Sequence, residues 1–181
     1  MATAVEIEMK ALPLSMSVNE DRDVAQALSQ LQADTFTLYL KTHNFHWNVI
    51  GPMFHMLHSM FEQQYNELWL ATDAIAERIR SLGRNAPGSY REFSHLTYLQ
   101  EPEAVPNAAD MISELLRDHE TCARTARWAL SVARTAVDAP TEELVAHRLM
   151  AHQKAAWMLR SLLADERSSP TQKPLKAAGE L

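Results

Sequence analysis

The sequence predicts an all-α fold, a bundle of four long helices with a long connection between the second and the third. Three observations predict it. Four segments repeat apolar residues at steps of three and four, the period of one helix face. Only 4 glycines occur in 181 residues, whereas sandwiches, barrels and doubly wound sheets spend glycine on turns and phosphate loops. The stretch between the second and third segments carries Pro87, Gly88, Pro102 and Pro106, too many breakers for a continuing helix.

The first helix runs from about Asp21 to Val49, with Val24, Leu28, Leu31, Thr35 and Leu38 on one face. Asn19 or Ser17 suits its cap, and Gly51-Pro52 ends it. The second runs from about Met53 to Leu82, with Leu57, Phe61, Leu68, Ile75, Ile79 and Leu82 at helical spacing, and stops at Gly83. The connection Asn85–Pro106 exceeds a tight hairpin and leaves room for a short helix over Tyr90–Leu96. Such a length joins opposite ends of a bundle. Asn107 caps the third helix, which extends to about Val137. Pro140-Thr141 opens the fourth, whose expected buried stripe is Leu144, Leu149, Ala156, Leu159 and Leu163. The chain then divides into an N-terminal tail (1–18), one bundle domain (19–165) and a polar C-terminal tail (166–181). Two helical hairpins joined by a crossover form the ferritin-like kind of four-helix bundle.

Composition excludes several function classes. Four scattered glycines build neither a dinucleotide fingerprint nor a phosphate loop. The single cysteine, Cys122, removes disulfide frameworks, cysteine-based zinc sites and C-x-x-C redox pairs. It fits a reducing compartment. The first residues lack the basic and apolar regions of a secretory signal, and no run approaches the roughly 18 apolar residues that span a bilayer. A cytoplasmic protein is the expectation. Its net charge of −6 has the wrong sign for generic binding to a phosphate backbone.

Histidines and acids are unevenly spread. His43, His46, His55 and His58 fall within sixteen residues, and Glu62, Glu67, Asp73 and Glu77 follow. On a helical wheel His58, Glu62, Asp73 and Glu77 share an arc of about 100°. Asp73 and Glu77, four apart, repel one another, and a cation relieves that repulsion. Imidazole with carboxylate and no thiolate suits iron, zinc or manganese. Distance then decides the arrangement. His58 and Asp73 lie about 22 Å apart along one helix, and ligand bonds are only about 2 Å long, so the two pairs cannot grip one ion in one chain. A second copy packed antiparallel about a two-fold axis near residues 67 and 68 brings His58 and Glu62 of one subunit to Asp73 and Glu77 of the other, twice per dimer. His46 can complete each site. The competing intrasubunit di-iron centre needs Glu-x-x-His on two helices, and the one such motif, Glu92–His95, lies in the connection.

The run from Thr42 through His43, His46, Trp47, His55 and His58, followed by Phe61-Glu62, Tyr65 and Asp73 to Gly83, closely resembles the Dps proteins, or mini-ferritins. The similarity spans roughly residues 20–165 and is densest over 42–83. It implies a hollow dodecamer of four-helix bundles built from two-fold dimers, with a short extra helix in the second crossover. The implied activity is oxidation of Fe(II), preferentially with hydrogen peroxide, and storage of the ferric mineral within the shell. By resemblance His46, His58 and Glu62 are metal ligands from one subunit and Asp73 and Glu77 those from its neighbour, with zinc a possible substitute for iron. Trp47 matches the tryptophan beside the centre that handles oxidising equivalents. Asp118, Glu120, Asp138, Glu142 and Glu143 are candidates for lining subunit junctions.

Family members that coat DNA commonly carry a lysine-rich arm. Here Lys10 faces Glu6 and Glu8, and Arg167, Lys173 and Lys176 face Glu166 and Glu180, so each tail offers little counterion release. DNA binding is expected to be weak or absent, with a DNA-coating nucleoid protein the alternative and a purely structural or zinc-bound helical oligomer a third reading. The remaining residues have plainer expectations. His43 and His55 are structural or accessory, and Met53, Met56 and Met60 are core filler. Trp69, Trp128 and Trp157 serve core or interface; His119, His147 and His152 serve packing or a pore surface. Cys122 is a small buried hydrophobe.

Overall fold

The computed structural model describes residues 18–164. It contains helices α1 (Val18–Asn48), α2 (Phe54–Ser81), α3 (Tyr90–Leu96), α4 (Ala108–Thr135) and α5 (Ala139–Leu163), with no strand among the described residues. The expected tails lie outside the described residues, save that Val18 opens α1. The long helices form two hairpins, α1–α2 and α4–α5, and the short α3 sits within the connection that crosses between them.

Local chemistry explains the boundaries. Asn107 accepts from the amides of Ala109 (3.0 Å) and Asp110 (3.1 Å), capping α4. Ser89 and Glu92 form a reciprocal capping box that starts α3. At the end of α2, Gly83 takes φ +76° while Gly83 N–H and Arg84 N–H return to the carbonyls of Arg80 and Ile79, the pairing of a Schellman cap. The same cap ends α4, but its left-handed position is Val137 at φ 55°. Asp138 follows at once and caps α5 by accepting from Thr141 N–H at 3.2 Å.

The interior has two apolar clusters. One gathers Leu38, Phe45, Leu57, Phe61, Leu115 and Leu159; the other gathers Val24, Leu28, Leu31, Ile75, Ile79 and Val145. Polar clamps tie the crossover to the bundle. Buried Asp34 accepts from Thr125 Oγ1 (2.7 Å), Tyr98 N–H (2.7 Å) and Thr97 Oγ1 (3.0 Å). Lys41 donates to Asp118 at 2.6 Å and to the Gln100 carbonyl. Phe93 of α3 stacks on Phe36 of α1 with centroids 4.4 Å apart.

Three sequence expectations change. The buried row of α5 is Thr141, Val145, Arg148, His152, Ala156 and Leu159, while Leu144 and Leu149 are half-buried and Leu163 is exposed. The helix is rotated because Arg148 turns inward to donate both guanidinium arms to Glu67 of α2. Met53 and Met56 are exposed rather than core, and Trp69, Trp128 and Trp157 are exposed on the single chain, which leaves the interface half of their expectation. Asp118 and Asp138 are largely buried, held by Lys41 and Arg78, so neither carboxylate stands free on the surface.

Candidate metal centre

The α1–α2 turn sets the last helical turn of α1 beside the first turns of α2. It brings His46 and His58 together with ring centroids 3.8 Å apart and planes 20° from parallel. Each Nδ1 lies 2.9 Å from the other residue's carbonyl oxygen. A carbonyl only accepts, so both Nδ1 atoms carry protons and donate. His58 thereby satisfies a carbonyl that the end of α1 leaves without an intrahelical partner. The tautomers that follow leave both Nε2 atoms with free lone pairs, the form in which imidazole ligates a metal.

Aromatic rings pack around this pair. Tyr65 lies 5.2 Å from His46 and stacks on His43 at 4.0 Å. His43 also packs on Trp47 at 4.1 Å and approaches Tyr39 Oη at 3.3 Å. Burial and the neighbouring His46 push the His43 imidazole below its usual pKa. Its partners mark His43 as support for the pair, while His55 is exposed. Trp47 itself is 62% exposed at the edge of the cluster.

Glu62, Asp73 and Glu77 are exposed on α2. Trp69 and Leu70 lie between Glu62 and Asp73 on that helix and are 54% and 69% exposed. Glu67, near them in sequence, is instead engaged by Arg148. Among the described residues, no group of three or more histidine, cysteine, aspartate or glutamate side chains within one chain is placed to hold a metal ion. The structure thus brings His46 and His58 together and leaves Asp73 and Glu77 apart from them.

The middle of the bundle holds His119 and His152, which the sequence assigns to packing or a pore surface, in a pairing beside Arg148 that the sequence reading did not foresee. His119 and His152 face each other through Nδ1 at 3.1 Å, next to Arg148. Burial first, and then Arg148, hold the His119 pKa down to about 3. The available signal was the i, i+4 placement of Arg148 and His152, which the choice of Leu144 and Leu149 as the buried stripe obscured. A fixed guanidinium on Glu67 makes this interior unsuited to a divalent ion.

Sequence and structure comparisons agree with this architecture. The family model of the ferritin-like domain matches residues 25–168. An uncharacterized low temperature-induced protein of Nostoc sp. is 34% identical over 164 residues, covering 90% of this chain and 92% of that protein. DNA protection during starvation protein 2 of Bacillus anthracis is 32% identical over 143 residues, covering 79% and 98%. The crystal structure of the Dps protein of Vibrio cholerae O1, described as a member of a broad superfamily of ferritin-like diiron-carboxylate proteins, superposes with a TM-score of 0.78 at 27% identity, covering 81% of this chain and 92% of that one. The fold is that of a ferritin-like protein. Within that class, the chain belongs to the Dps family.

Proposed function

We propose that this protein is a mini-ferritin that oxidises Fe(II) at centres shared between two subunits and stores the ferric product inside a hollow homo-oligomer, a dodecamer built from two-fold dimers. One observation supports this above the others: His46 and His58 are locked through Nδ1 with both Nε2 atoms free, while exposed Asp73 and Glu77 stand too far along α2 to reach them. In this reading His46, His58 and Glu62 bind iron with Asp73 and Glu77 of a neighbouring copy. The carboxylates balance the charge of the ferrous substrate, and the imidazoles direct its coordination. Hydrogen peroxide is the preferred oxidant: two-electron reduction at paired irons consumes it without releasing hydroxyl radical. Trp47, beside the imidazole cluster, takes up stray oxidising equivalents. Zinc can occupy the same ligands without redox turnover. Glu120 and Glu142, held by Arg160 and Arg134, and exposed Glu143 remain available to line subunit junctions. The protein acts in the cytoplasm and binds DNA weakly or not at all, given its tail charges.

The test is stopped-flow Fe(II) oxidation with peroxide against oxygen. Asp73→Ala with Glu77→Ala should slow rapid oxidation by about 100-fold or more while helicity and native mass stay unchanged. Unchanged kinetics in the folded double variant would contradict the ligand assignment. Gel retardation at low salt should give no stable DNA complex; a salt-sensitive complex would favour the nucleoid-coating alternative.

A further inference from the structure

A groove of about 550 Å³ runs between α2 and α5, with His119 of α4 in its wall. Two polar clamps set its register. Arg78 donates to Thr141 Oγ1 at 2.8 Å, and Arg148 engages Glu67, so α2 and α5 run antiparallel. Continuing that register, Met60, two turns before Glu67, stands opposite Ala155, one turn from Met158. Both methionines line the groove. His119 enters the same wall from α4, its Nδ1 edge occupied by His152.

Buried polar atoms in this wall lack partners. His119 is 2% exposed, and its Nε2 has no hydrogen-bond partner among the described residues; the Gln64 amide is likewise unpaired at both atoms. One proton lies between the two facing Nδ1 atoms. When His119 carries it, His119 Nε2 presents a bare lone pair. Burial keeps the ring neutral, as a ligand must be.

The donor set selects the ion. Among the described residues the one carboxylate lining the groove, Glu67, is taken by Arg148, which leaves the neutral Gln64 amide oxygen without the anionic oxygen ligands that hard cations draw on. Thioether and neutral imidazole are soft donors that favour Cu(I). Lys154 on the rim and Arg148 behind it penalise a divalent ion more than a monovalent one. We propose that His119 Nε2 and the thioethers of Met60 and Met158 form a cuprous-ion site within each subunit.

The test is anaerobic Cu(I) titration of the full assembled chain against a coloured Cu(I) chelator. It is run on the unaltered protein and on a His46→Ala, His58→Ala variant that removes the other imidazole pair. One Cu(I) per chain should bind in both. Met60→Leu with Met158→Leu, a swap that conserves volume, should weaken it at least about tenfold without altering helicity. X-ray absorption at the copper edge should report sulfur neighbours that disappear in the leucine variant. Undiminished affinity in that variant, or binding that vanishes with His46 and His58, would overturn the site. Neither result bears on iron oxidation, whose failure would be read separately in the Asp73 and Glu77 variant.

Discussion

His46 and His58 hold each other by their Nδ1 edges, so neither ring can rotate without abandoning a carbonyl. Two other residue-level features lead to measurements. Val137 occupies the left-handed position of a Schellman cap at φ 55°, a conformation costing an L-residue about 1–2 kcal/mol. It is exposed and packs on little, so Val137→Gly loses no core contact. After the larger unfolded-state entropy of glycine, about 0.5–1 kcal/mol, the variant should be stabilised by roughly 0.5–1 kcal/mol. A higher denaturation midpoint is the expected result; a lower one would refute the strain. The second feature is the His119–His152 pair. Burial holds the folded His119 at about 3, against the ordinary histidine value of 6.5. As pH falls through 6.5 the unfolded chain takes up a proton that the folded chain refuses, so stability declines with acid until about pH 3. The slope is at most about 1.4 kcal/mol per pH unit for such a group. His119→Gln should flatten the dependence of stability on pH between 6 and 4. An unchanged slope would assign the acid sensitivity elsewhere.

At the scale of elements, two clamps hold the hairpins together. Asp138 is buried, which raises a carboxyl pKa. The hydrogen bonds from Arg78 (2.7 and 2.8 Å) and Thr141 outweigh that and hold it below the usual carboxylate range. Removing Arg78 strands that charge, so Arg78→Leu should cost about 3 kcal/mol, measured by chemical denaturation. A loss under about 0.5 kcal/mol, the range of exposed pairs, would count against the clamp. These elements also mark what was legible beforehand. Gly51-Pro52, Gly83 and Asn107 punctuate α1, α2 and α4 because breakers and caps act locally, and the apolar rows of α1 and α2 declare their buried faces. The rotation of α5 was hidden. Leu144 and Leu149 look like core by type, whereas Arg148 and His152 enter the interior through partners on α2 and α4 far away in sequence. The candidate centre divides in the same way. Residue type and spacing pick out His46, His58 and the carboxylates of α2, but the reciprocal Nδ1 lock depends on how the α1–α2 turn aims two rings. Spacing alone does not encode that.

At the scale of the whole molecule, the proposed function makes one chain half of a device. The outward face of α2 carries Glu62, Trp69, Leu70, Asp73 and Glu77, apolar and acidic side by side. Exposed aromatic surface of this kind suits an association site, and the two-fold axis proposed near residues 67 and 68 would make it self-complementary. No described helix is long and apolar enough to cross a membrane. In the proposed assembly a second copy of the chain covers this face. Trp69→Glu with Leu70→Glu should lower the native mass and abolish rapid iron oxidation together; loss of one without the other would separate assembly from the centre. The most direct measurement mixes two inactive parents, His58→Ala and Asp73→Ala, unfolds and reassembles them in equal amounts, and records Fe(II) oxidation. Half of randomly formed dimers are then hybrids, and each hybrid has one intact site of two. Activity should return to roughly a quarter of the unaltered rate if subunits share the ligands. No recovery in correctly assembled hybrids would mean that each chain builds its centre alone.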